Sequence, residues 1–149
     1  MKKDVLIHIN GVQFADTGEV PEPVEVIAPG KYYFKNGNHY LAFEEPGEMG
    51  EETVKNLMKF REQYLEVSKS GFVKTQMVFE KDKKTKSYYI TPFGTVNVGI
   101  ATTSVNLKEE PDEIEVTANY ALDINDNFVA DCSISLLARS KETDSTISS

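Results

Sequence analysis

Apolar residues recur at every second position along most of this chain, and that period decides what it can become. In the last third, Ile114, Val116, Ala118, Tyr120, Leu122 and Ile124 share one parity while Glu113, Glu115, Thr117, Asn119 and Asp123 hold the other. After Asn125-Asp126-Asn127 the pattern resumes with Phe128, Ala130, Cys132, Ile134, Leu136 and Ala138. Successive side chains of a strand point to opposite faces, so each stretch reads as a strand with one face to a core and the other to water.

The same reading extends toward the amino end. Val5, Ile7 and Ile9 mark a first strand, and Val24 with Val26 a second that bends at Pro29-Gly30. Tyr32 and Phe34 lead into Asn36-Gly37, a pair that supplies the left-handed residues of a tight hairpin, and a strand from His39 to Glu44 follows. Glu45 to Glu52, with Pro46, two glycines and four glutamates, reads as a solvated loop. Thr53 to Gln63 fits two periods: Val54, Leu57, Met58 and Arg61 suit a helix, whereas Val54, Asn56, Met58 and Phe60 suit a strand. The strand is favoured because its neighbours are strands and sequential strands usually pair. Leu65 and Val67 continue, and Ser70-Gly71 makes a break. Val73, Thr75, Met77 and Phe79 alternate up to a lysine-rich turn, and a further strand opens at Pro92-Phe93-Gly94. Its phase slips from Val96, Val98 and Ile100 to Val105 and Leu107, which predicts a β-bulge or sharp bend between Gly99 and Ser104.

Short antiparallel strands joined by brief turns, with one polar face each, predict an all-β meander of about 8–10 strands. A single closed barrel is favoured over a β-sandwich, because closure removes the exposed edges that a long meander leaves. The expected domain is residues 1–139, followed by a disordered tail at 140–149 built from Ser, Thr and charge. A chain of 149 residues suffices for one such core.

A formal net charge of −8 argues against nucleic acid, whose phosphates need concentrated Lys and Arg. Nowhere do about 18 apolar residues run together, which argues against a membrane-spanning helix. Met1-Lys2-Lys3 starts like a signal peptide, but Asp4, His8 and Asn10 interrupt it, so the expected compartment is the cytoplasm. Cys132 is the only cysteine, so no intrachain disulfide can form, and its inward parity predicts a small buried side chain.

Several residues carry a resemblance. Ser70-Gly71, the strand ending Met77-Val78-Phe79-Glu80, Tyr89, Thr91-Pro92-Phe93-Gly94 and the alternating Val96 to Thr102, with the earlier Gly30, Tyr32-Tyr33 and Tyr40-Leu41, resemble the YwiB-like family of uncharacterised bacterial β-barrel proteins. The likeness runs to about Arg139. It implies a calycin-like, lipocalin-type barrel in a cytoplasmic bacterial protein with no established activity. Lys69 stands where that family more often has arginine before Ser-Gly, which counts against a bidentate carboxylate or phosphate contact there. The chain also has no tryptophan, so the aromatic signature of true lipocalins is missing.

A lipocalin-type barrel can hold one small ligand inside, so the first expected function is a binding module for a small, mostly apolar molecule. The candidate lining consists of residues that interrupt the apolar inward set, Asn56, Thr75, Tyr88 and Tyr120, with Lys69, Gln76 and Arg61 near strand ends. Against it stands an interior simply filled by Phe34, Met58, Met77, Phe79 and Phe128. An outer-wall patch including Tyr33 or Phe72 offers the alternative of a homodimer or a docked protein. Catalysis is disfavoured: His8 and His39 read as surface residues beside no nucleophile, and the carboxylates lie in solvated runs such as Glu44-Glu45 and Glu109-Glu110. No cofactor or metal is implied. Asp123 to Asn127 imitates the first calcium ligands of an EF-hand, but Phe128 takes the required glycine position and Ile134 the bidentate glutamate, leaving a turn. No Cys/His cluster exists for zinc. The Lys81 to Lys86 run, lacking interleaved aromatics, reads as a soluble hairpin tip.

Overall fold

The computed structural model describes residues 3–14, 21–46, 53–71, 74–91 and 94–141. Expectations placed on the loop beyond Pro46, on Phe72, Val73, Pro92 and Phe93, and on the tail after Lys141 lie outside them. Ten strands form: β1 (Asp4–Phe14), β2 (Pro21–Lys35), β3 (Asn38–Glu45), β4 (Val54–Arg61), β5 (Tyr64–Ser70), β6 (Lys74–Glu80), β7 (Lys84–Thr91), β8 (Gly94–Glu110), β9 (Glu113–Ile124) and β10 (Asn127–Ser140). Each pairs antiparallel with its neighbour in sequence, and β10 pairs with β1 to close an up-and-down barrel. Closure leaves the sheet without a terminal edge and gathers the apolar parity of most strands into one interior. Val54 to Arg61 takes the strand period, with Asn56, Met58 and Phe60 inside.

Turn chemistry matches the local sequence. Asn36 and Gly37 both have positive φ, as do Asn125 and Asp126, which is the geometry that keeps two-residue hairpins in step with strand twist. The phase slip in β8 is a register shift between Thr102 and Ser104 against β9, so Thr103 is the extra residue. The Thr103 hydroxyl donates to the Asn119 carbonyl at 3.1 Å and Asn119 Nδ2 donates to Ser104 Oγ at 2.8 Å, which pins the bulge. A second register shift, between Phe128 and Ala130, interrupts β10. It breaks the parity at the start of that strand, so Phe128 is 67% exposed rather than a core filler. Phe34, at the far end of β2, is also exposed.

β2 changes partners along its length. It pairs with β1 from Pro21 to Lys31, but with β3 only from Lys31 to Lys35. The Tyr32 amide donates to the Lys3 carbonyl at 2.8 Å, so even-numbered residues of β2 address β1 and odd-numbered ones address the β3 side. Pro21, Pro23 and Pro29 are all odd. Their missing N–H groups fall on the β3 side, below Lys31 where the β2–β3 ladder stops, and proline is tolerated in a sheet at such unpaired positions. The partner change falls beside Gly30, where an added Cβ would lie 2.4 Å from Ile7 Cδ1 and 2.5 Å from the Ala42 carbonyl oxygen.

Interior side chains of β3 to β6 stack in level rows set by register. His39, Phe60, Leu65 and Phe79 form one, and Leu41, Met58, Val67 and Met77 the next. Above them Phe43, Asn56, Lys69 and Thr75 form a third row, where the interior turns polar. The lower rows are well filled: Leu41, Met58, Phe60, Leu65 and Phe79 have no exposed surface.

Candidate functional site

The polar row marks a cavity. About 110 Å³ of space lies inside the barrel at the end where β1, β3 and β5 finish. Its walls are chiefly apolar, with Ile9, Val24, Val26, Met58, Met77 and Ile134 among them. The polar residues that reach it are Glu45, Asn56, Lys69, Thr75 and Tyr120. Asn56 and Tyr120 are each 3% exposed, whereas the Lys69 and Glu45 side chains are 32% and 35% exposed, so the ionic pair stands at the rim.

Asn56 Nδ2 donates to Glu45 Oε1 at 2.9 Å, and Lys69 Nζ approaches the same oxygen at 3.5 Å. The buried amide thus anchors the carboxylate, and the carboxylate holds the ammonium loosely. Deeper in, Tyr120 packs edge-on against Phe79 with ring centroids 4.8 Å apart. Burial pushes its phenol well above the usual range, and the neighbouring Cys132 adds to the shift, so the hydroxyl stays protonated as a donor. Cys132 is only partly buried, and burial raises its thiol. A thiol held protonated is a poor nucleophile.

Of the seven residues expected from sequence to line a site, Asn56, Lys69, Thr75 and Tyr120 surround this cavity. The other three stand elsewhere. Tyr88 is 59% exposed on the outer wall, because the inward parity of β7 belongs to Thr85 and Ser87. Gln76 is on the outer wall too, donating to Glu66 Oε2 at 2.8 Å. Arg61 lies at the opposite end, stacked over Tyr64 at 4.0 Å and bonded to Asn38 Oδ1 at 3.1 Å. Glu45, read as part of a solvated loop, is the residue sequence reasoning missed. It shares the parity of Leu41 and Phe43, and extending their alternation by one step finds it.

The opposite end holds a different group. His39, expected at the surface, is 4% exposed, because its parity is that of Leu41 and it faces inward as β3 begins. Its Nδ1 lies 2.7 Å from the Tyr32 hydroxyl, and its ring stacks on Phe60 at 5.3 Å and tilts against Phe34 at 4.8 Å. Glu109 Oε1 stands 3.7 Å from Nε2. A neutral ring protonated at Nε2 accepts the Tyr32 O–H at Nδ1 and turns its own N–H toward the Glu109 carboxylate, beyond direct hydrogen-bond reach at 3.7 Å. Burial holds the His39 pKa below its ordinary value, with Glu109 opposing the shift. His8 differs, meeting Glu25 Oε2 at 2.6 Å on the outer wall.

A pH effect follows from His39. The unfolded chain takes up this proton near pH 6.5 and the folded chain only at lower pH. The contribution of neutral His39 is therefore complete above about pH 6.5 and is lost as pH falls through the lower folded value. Urea midpoints of the native protein are expected to decline from pH 7.5 to 5.5, and His39→Gln, which keeps an acceptor for Tyr32, to show a shallower decline. Equal slopes for the two proteins would refute the assignment.

Comparison with known proteins places this barrel. Residues 7–136 match the family described as Domain of unknown function (DUF1934). The chain belongs to that family. The DUF1934 barrel is similar to the uncharacterized β-barrel protein YwiB of Bacillus subtilis (strain 168), with 25% identity over 122 residues, which span 82% of this chain and 83% of YwiB. Its fold resembles the crystal structure of the ywiB protein from Bacillus subtilis, with a TM-score of 0.73 at 21% identity, over 94% of this chain and 93% of that one. The DUF1934 name carries a fold and no activity, so function has to be argued from the cavity.

Proposed function

We propose that this protein is a non-enzymatic binding module that holds a small, mostly apolar molecule inside the barrel. The observation that carries the reading is the apolar-walled cavity of about 110 Å³, with Glu45, Asn56, Lys69 and Thr75 gathered at its rim end. The volume sets the scale of the guest. At roughly 30 Å³ per water it holds three or four waters, less than the roughly 150 Å³ of a dry cavity known to accept benzene, so the fitting ligand is a fragment of a few carbons, with benzene at the upper end of what side-chain adjustment admits.

The outer wall supports a protein that works in water. Lys55, Lys59, Glu66, Lys74, Lys84 and Lys86 occupy outward positions of β4 to β7, where a lipid-facing barrel carries an apolar band. The cytoplasm is the compartment this reading assigns.

Methyl NMR with benzene as the probe tests it. Benzene is expected to shift the Met58, Met77 and Ile134 methyl signals saturably, and Val67→Phe, which places a ring in the cavity, to abolish the shift while leaving the fold intact. Overpacking of this kind costs roughly 1–3 kcal/mol, which a stable domain survives. Signals that stay put at saturating benzene would reject the cavity as a binding site.

A further inference from the structure

Resting on that reading, we infer that the guest is a neutral amphiphile whose head group both donates and accepts hydrogen bonds, such as a primary amide or an alcohol, selected by the Lys69–Glu45 pair at the cavity rim. The inference starts from the charge of the rim. One ammonium and one carboxylate face the cavity side by side, 3.5 Å apart, so the site neutralises itself. A rim pair about a third exposed that loses one partner leaves the other charge less compensated beside an apolar wall, a smaller penalty than in a sealed core but one a neutral guest avoids. An ionised guest capturing Lys69 would strand Glu45, and one capturing Glu45 would strand Lys69. A neutral head imposes no such penalty.

The hydrogen-bonding capacity of the rim has the complementary form. Both described contacts to the carboxylate, from Asn56 and from Lys69, fall on Oε1, which leaves Oε2 as an acceptor. Lys69 carries three N–H donors and uses one on the long contact to Glu45. A head that donates to Oε2 and accepts from Nζ joins the pair without breaking it. Asn56, 3% exposed, keeps the carboxylate in place while this happens, so the acceptor is positioned before the guest arrives. The apolar walls below leave room for a tail of about four carbons, at roughly 30 Å³ for each small group.

Four probes test the inference by NMR titration: pentanamide, pentanoate, pentylammonium and benzene. In the native protein pentanamide is expected to bind at least tenfold more tightly than either ion. Glu45→Gln leaves the ammonium alone and should raise pentanoate affinity at least tenfold relative to pentanamide. Lys69→Met should do the same for pentylammonium. If the native protein prefers either ion, or binds all three alike while benzene still enters, the head-group inference is overturned and the cavity reading stands. If no probe, benzene included, shifts the lining methyl signals, both fall. The native ranking decides the question even where a variant fails to fold.

Discussion

Replacing Phe60 with alanine is expected to cost the fold about 3–5 kcal/mol, the range for a fully buried phenylalanine whose site cannot collapse. Phe60 has no exposed surface, stands in the row His39, Phe60, Leu65 and Phe79, and supports the face of the His39 ring. Barrel walls held by ladders on both sides cannot move in to close the hole. In urea unfolding, with a slope of about 2 kcal/mol per molar, the midpoint should drop by about 2 M. Phe128→Ala is the comparison that makes the result informative. The two phenylalanines occupy equivalent steps of an alternating pattern, yet Phe128 is 67% exposed, and its loss should stay within about 0.5 kcal/mol. Similar losses at the two positions would contradict the packing described.

Gly30→Ala should destabilise by about 3 kcal/mol, at the upper end of overpacking costs. Elsewhere the same change is often favourable by about 0.4–1 kcal/mol, because alanine restricts the unfolded chain. The sign reverses here because the new Cβ would meet Ile7 Cδ1 at 2.4 Å and the Ala42 carbonyl oxygen at 2.5 Å. The first contact is the end of a flexible side chain, whereas the second is backbone. Ile7→Val removes Cδ1, so combining it with Gly30→Ala should recover part of the loss and leave the remainder due to Ala42. Thermal denaturation of the two single variants and the double variant measures this coupling. A neutral Gly30→Ala would mean that β2 has slack where it leaves β3.

The fold was legible in the sequence wherever alternation was sustained. In β9, and in β10 beyond the register shift at Phe128, it ran long enough to assign both faces, Asn36-Gly37 announced its hairpin, and the slip after Ile100 located the bulge that appears at Thr103. The site was legible only in part. Asn56 and Thr75 were visible as polar residues on apolar parities and Lys69 as a residue near a strand end, and register then aligned the three in one row, which no local pattern encodes. Tyr88 was misplaced because Lys84 to Ile90 offers few apolar residues from which to read a face. Glu45 and His39 were assigned by residue type rather than position. Both continue the parity of Leu41 and Phe43, and burial in a barrel follows the pleat before it follows hydrophobicity.

The three prolines of β2 have a consequence for how this molecule meets its own copies. A foreign segment settling along the β3 side of β2 would find carbonyl oxygens at Pro21, Pro23 and Pro29 but no hydrogens there to match its own, and only Glu25 and Ile27 between them could donate, so a continuous ladder is interrupted. The prolines on this flank thereby work against fibril growth from it.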